Sequence, residues 1–221
     1  LRALYSLFFI LALFTNLSAH AQVLAPLFEK YWEERSELFP LDATQQGDNR
    51  FNHLLPNDQT AEFRTKLKTF FEKYLLELKK QKSLKLSEDD NLSAQIFEYE
   101  LKNQLEGLKH IGWMIPFQQF WGLPLTMGQL GSGESYQPFS TVQDYRNWLG
   151  RIEGFSQWTD SAIQNFRIGM KKGVVLPKVL VEKMIPQMEK LVTSKVEESL
   201  FWGPIKKFPE SFTNEEKTEL K

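Results

Sequence analysis

The chain has 221 residues, a formal charge of −1 at pH 7 and no cysteine. Absence of cysteine excludes a disulfide framework, a thiolate metal site and a cysteine nucleophile. The near-neutral balance argues against general electrostatic attraction to nucleic acid or to an anionic membrane. The length suffices to bury a real core, and the 18 phenylalanines are scattered through helical patterns that supply it.

Arg2 is followed by an apolar run from Ala3 to Phe14, then Thr15-Asn16 and the small-residue site Ala19-His20-Ala21. A basic start, a short apolar core and an A-x-A end predict a secretory signal peptide over residues 1–21, cleaved before Gln22. The run is too short for the ~20 residues that span a bilayer, so no stable membrane anchor is expected after cleavage. Export to the periplasm or the extracellular space follows. Loss of Arg2 leaves 26 basic against 28 acidic residues, a balance of −2. Residues 22–221 read as the N-terminal helical part of a single larger domain.

Leu24, Leu27, Phe28, Tyr31, Trp32 and Leu38 follow helical spacing, and Pro40 stops that helix. Asp42 to Asp58 is polar, holds Gly47 and Pro56, and reads mainly as a loop after a short helical turn. Asp48, Arg50 and His53 lie in it; a surface histidine is the simpler reading than a ligand or base. Phe63, Leu67, Phe70, Phe71, Tyr74, Leu75 and Leu78 recur at three and four, the clearest amphipathic helix of the chain. Lys79, Lys80 and Lys82 suit its C-terminal end. Ser87 with Asp90 resembles a capping box and opens a helix through Leu92, Ile96, Tyr99 and Leu105. The two helices predict an antiparallel hairpin.

His110 to Trp121 is apolar and aromatic but interrupted by Gly112 and Pro116, which predicts an extended segment packed under the glycine-rich stretch that follows, its aromatic cluster read as core rather than as a binding platform. Next comes a glycine-rich stretch with Gly122, Gly128, Gly131 and Gly133, read as a loop whose glycines suit tight turns or a close backbone approach. Its polar side chains Gln129, Ser132 and Tyr136 are the candidate substrate-binding residues. Thr141 with Asp144 then caps a helix whose apolar face holds Val142, Tyr145, Trp148, Leu149, Ile152 and Phe155. A separate helix is expected from about Gln157 to Lys171, with Gly173 as the residue that ends it. Pro177 opens a further helix through Leu180, Met184, Met188, Leu191 and Val192, with Pro186 inside it. Phe201 to Pro209 reads as a linker before a helix at Thr213-Asn214-Glu215-Glu216. No convincing strand pattern is present, and the expected class is all-α.

No H-E-x-x-H motif occurs, and His20, His53 and His110 lie far apart, so a self-contained zinc site is not expected. The spacing Gly128-x-x-Gly131-x-Gly133 lacks the lysine and the preceding strand of a phosphate-binding loop. Gly131-Ser132-Gly133 is too short for a nucleophile elbow. No catalytic residue is named.

The segments FPLDATQQGDNRFNHLLP, GQLGSGESYQPFSTVQDYRNWLGRIEGF and FRIGMKKGVVLPKVLVEKMIPQM resemble, in that order, the bacterial domain-of-unknown-function family 885. The portions from Gln137 to Leu149 and from Gly169 to Pro177 are the most specific. The resemblance implies a helical, commonly exported protein similar to zinc metallopeptidases. Its H-E-x-x-H helix would lie in the C-terminal half of a much longer chain, with zinc activating water and the motif glutamate as general base. This sequence stops before that helix, so no catalytic or metal residue is carried onto it. The implied partners are a peptide-like substrate and the missing C-terminal half of the same chain. A non-catalytic exported helical binding module of the bacterial envelope is the alternative.

Overall fold

The structure, a computed structural model, describes residues 23–221. The expected signal peptide and its cleavage site lie outside the described residues. Among the described residues there are nine α-helices, four short 3-10 turns and no strand, an all-α fold.

Three helices make the first core: α1 (Ala25–Leu38), α3 (Ala61–Gln81) and α4 (Glu88–Gly107). Between α1 and α3 lies the short α2 (Pro40–Gln45), where Pro40 both closes one helix and opens the next. The Thr60 hydroxyl accepts the Phe63 N–H and starts α3; Ser87 does the same for Asp90 at α4. The capping box expected at Ser87 is only half made. The Asp90 carboxylate turns away from its own helix to accept the Val23 N–H at 3.3 Å. α3 and α4 form the expected hairpin, with Phe70, Phe71, Tyr74, Leu78, Ala94 and Leu101 buried between them and α1. At the centre is Tyr31, whose ring lies 4.8–5.2 Å from those of Phe70, Tyr74 and Phe97.

The second core is built on α5 (Leu123–Gly131) and α6 (Val142–Lys172). Here the structure corrects the glycine-rich loop, most of which is α5. Pro124 presets the first turn, and Leu123, Met127 and Leu130 recur at helical spacing with Met127 and Leu130 fully buried. Only Gly122 (φ 147°) and Gly133 (φ 78°) have positive φ in this stretch. Gly128 and Gly131 are helical, and their missing side chains admit Leu191 and the rings of Phe201 and Trp148.

A second correction concerns α6, one helix of 31 residues rather than two. Its buried positions Tyr145, Trp148, Arg151, Trp158, Ala162, Asn165 and Gly169 keep one unbroken face. Leu149 and Ile152, expected on that face, are exposed, and Arg151 takes their place. The reciprocal capping box of Thr141 and Asp144 starts α6, and Gly173, at φ 74°, ends it.

The remaining chain carries α7 (Lys178–Glu189), α8 (Gly203–Lys206) and α9 (Asn214–Glu219). α7 ends at Glu189, three residues before Val192, the last position of the pattern. The Phe201 to Pro209 stretch is packed rather than a linker. Phe201 lies against Trp148, Phe208 and Phe212 lie against Tyr145, and the Tyr145 hydroxyl donates to Pro204 O at 3.0 Å. The His110–Trp121 segment is likewise corrected. It holds a 3-10 turn at Ile111–Met114, and its end is not core, with Phe120 73% and Trp121 56% exposed.

Candidate functional site

Of the three candidate residues, Gln129 sits exposed on α5, and Ser132 and Tyr136 lie half-buried beyond the helix end. The Ser132 hydroxyl is engaged locally. It donates to Gln129 O at 2.7 Å and accepts the Glu134 N–H at 3.2 Å, closing the turn after α5. Tyr136 packs on the second core, and burial pushes its hydroxyl pKa up, partly opposed by the nearby Arg151 cation. The three therefore lie along one stretch, residues 129–136, but of them only Tyr136 packs on the second core and feels the Arg151 charge.

That centre is Arg151, with no exposed surface. Its Nη1 donates to Gln137 Oε1, its Nη2 to Thr44 Oγ1 at 2.6 Å and to Pro40 O at 3.2 Å, and its Nε to Leu54 O at 3.3 Å. Thr44 passes the chain on, its Oγ1 lying 2.6 Å from Asn52 Oδ1, while Asn52 Nδ2 donates to Asn49 Oδ1. Gln137, Thr44 and Asn52 are all buried. Each acceptor of Arg151 is neutral, so burial lowers its pKa to about 10 with no carboxylate to oppose it. A buried polar network is stable only when its members are satisfied. Four of the five guanidinium N–H donors are.

Arg151 is one of a series of α6 groups that hold the segment from Pro40 to Thr60 along the helix. Trp158 Nε1 donates to Asp58 Oδ1 at 2.6 Å, and Asn165 Nδ2 to Gln59 O at 2.9 Å. Asn57 Nδ2 donates to Gln157 O and Ser161 Oγ. Gly150 and Gly154 make the close approach possible, since a Cβ there would stand 2.8 Å from His53 O and 2.7 Å from Leu55 O. This strap joins the two cores by polar bonds from side chains to both backbone and side-chain partners.

Beside the strap runs an open groove of about 1080 Å³ between α1 and α3, with Asn57 and Gln157 at its edge. Glu34, Glu37 and Glu62 line it together with Lys66 and Lys73, over a floor that includes Phe63 and Phe70. Lys73 Nζ bonds both Glu34 oxygens at 2.5 and 2.6 Å. Beneath them the buried Tyr74 hydroxyl has no hydrogen-bond partner of good geometry. Burial, then the Glu34 charge, pushes its pKa up. The groove can take a polar ligand, and no nucleophile–base pair is apparent among the residues that line it.

Among the described residues no three His, Cys, Asp or Glu side chains come together as metal ligands. His53 and His110 are both exposed. Near His53, Arg50 bonds Asp48 and Glu33 at the surface, and the Asp48 carboxyl is held below the usual range mainly by that Arg50 hydrogen bond. The residues present do not fit a zinc ion. No helix among them is long and apolar enough to cross a membrane.

Sequence reasoning misses Arg151, Gln137, Thr44 and Asn52. The signal is present in the helical period: 145, 148, 151, 155 and 158 form one face, and a charged residue on it marks a buried polar centre. The partners on the strap carry no such mark.

The architecture defines a class, an all-α protein of two helical cores joined by a polar strap. The chain belongs to a family described as bacterial protein of unknown function (DUF885), whose sequence model matches residues 40–221. No curated protein and no solved structure matches it.

Proposed function

We propose that this chain is the N-terminal scaffold, and part of the substrate cleft, of an exported zinc-dependent peptidase-like hydrolase. The observation that carries the reading is the family match from residue 40 to residue 221, read with the resemblance to zinc metallopeptidases. The described residues supply no metal cluster, so in this reading zinc is held by residues of the full-length protein outside them. Gln129, Ser132 and Tyr136 line the cleft and meet a peptide-like substrate, and the C-terminal half of the same chain packs on this one. The chain by itself is not catalytic.

The test is to read the gene beyond Lys221 for H-E-x-x-H with a downstream glutamate, and to assay the whole product for zinc content and chelator-sensitive peptide hydrolysis. Finding neither motif nor zinc in the complete protein would overturn the reading. A second reading, a non-catalytic exported binding module of the bacterial envelope, is favoured by one observation, the polar groove between α1 and α3. It expects peptide binding with no turnover and no metal in the complete protein.

A further inference from the structure

The acceptors of Arg151 come from two places far apart in sequence. Gln137 belongs to the arm between α5 and α6, residues 132–140; Pro40, Thr44 and Leu54 belong to the strap. Leu41 and Leu55 of the strap and Tyr136 of the arm also pack around one apolar cluster. All the acceptors are neutral, and the guanidinium has no contact with solvent. Releasing either segment would leave a buried cation short of acceptors, which costs far more than an ordinary lost contact. The glycines at 150 and 154 keep the strap backbone against the helix on both sides of Arg151.

We propose that Arg151 is a latch that couples arm and strap, so that the two open together. Thermodynamic coupling is reciprocal: weakening the arm side must loosen the strap by the factor by which weakening the strap side loosens the arm. The candidate ligand residues Ser132 and Tyr136 lie on or beside the latched arm, so the latch sets whether that arm is ordered. Its basis is the geometry around Arg151 alone, independent of the peptidase reading.

Hydrogen–deuterium exchange of the whole chain tests it, with peptides covering the strap (40–60), the arm (132–140) and the α3–α4 hairpin. Gln137→Ala touches only the arm side, and Thr44→Val only the strap side. Each should speed exchange in both segments, on the order of tenfold as ordinary coupling energies allow, and leave the hairpin unchanged. The double variant should speed both segments beyond either single one and by the same factor in each, since one joint opening carries both losses. Arg151→Met should abolish the dependence of each segment on the other; if that variant does not fold, the two single variants and their double still decide. Acceleration confined to the segment that carries the substitution would overturn the latch. So would equal acceleration in the hairpin, which would report loss of global stability instead.

Discussion

The buried Arg151 shows how a single residue organises its surroundings, and smaller charges can be argued in the same way. Glu98 accepts from Lys102 and Lys82, at 2.6 Å each, and these hydrogen bonds hold its pKa down to about 2. The folded value lies below the unfolded one, so its contribution is complete above the ordinary carboxylate range and is lost as pH falls towards 2. Glu98→Gln should flatten that part of the stability curve and cost under about 1 kcal/mol at neutral pH, since the pair is at the surface. Urea unfolding from pH 2 to pH 7 checks both. Gly131 sits in a stretch whose glycines suggest positive φ. Its own φ is not positive, and the Phe201 and Trp148 rings occupy the space a side chain would need. Gly131→Val should therefore destabilise by overpacking, about 1–3 kcal/mol by denaturant titration. Tyr136→Phe and Gln129→Ala, made in the full-length protein, separate a cleft arm from a mere turn. The cleft reading expects an unchanged melting temperature and a kcat/KM lowered on the order of tenfold. Normal kinetics in both would leave the arm a purely structural element.

Among the elements, α6 carries the seam between the two cores, and its glycines decide how close the strap lies. Alanine normally favours a helix interior over glycine by about 1 kcal/mol. At Gly154 a carbonyl oxygen stands 2.7 Å from the added carbon, so the backbone must move, and overpacking of about 1–3 kcal/mol exceeds the propensity gain. Gly154→Ala should lower stability, whereas Gly107→Ala, at the open end of α4 with nothing within 4 Å, should leave it level or slightly raise it. Thermal unfolding of the two variants side by side gives the answer. In the first core α3 is legible because its apolar residues recur at three and four and Thr60 caps it, whereas the face of α4 is misread: Leu92, Ile96 and Tyr99 are exposed, and Ala94, Phe97 and Leu101 are the buried residues. α5 is not legible, because its glycines are typical loop residues and only the neighbours they admit, Phe201, Trp148 and Leu191, explain them. The length of α6 is hidden for the same reason at Gly154. The strap is illegible because half of its partners are backbone carbonyls, at Pro40, Leu54 and Gln59, which leave no trace in side-chain pattern, and the others are polar residues of ordinary loop type.

At the scale of the whole molecule the helical class can be read from composition and period, and the family follows from residues 40–221. The candidate arm is only partly legible. Tyr136 packs on the second core, but Ser132 spends its hydroxyl on its own turn. The expected export requires that the N-terminus of the secreted protein begin at Gln22; a retained Leu1 in a cytoplasmic product would contradict it. The proposed role, scaffold and cleft wall rather than metal site, leaves this chain without a zinc of its own. It is tested most directly by metal analysis of the purified 221-residue chain, dialysed against zinc and then against buffer. A catalytic zinc usually needs three protein ligands held together, and the described residues bring none together. Zinc well below one equivalent per chain and no peptide hydrolysis are the expected result. One tightly held zinc per chain, with peptidase activity abolished by a chelator, would contradict it.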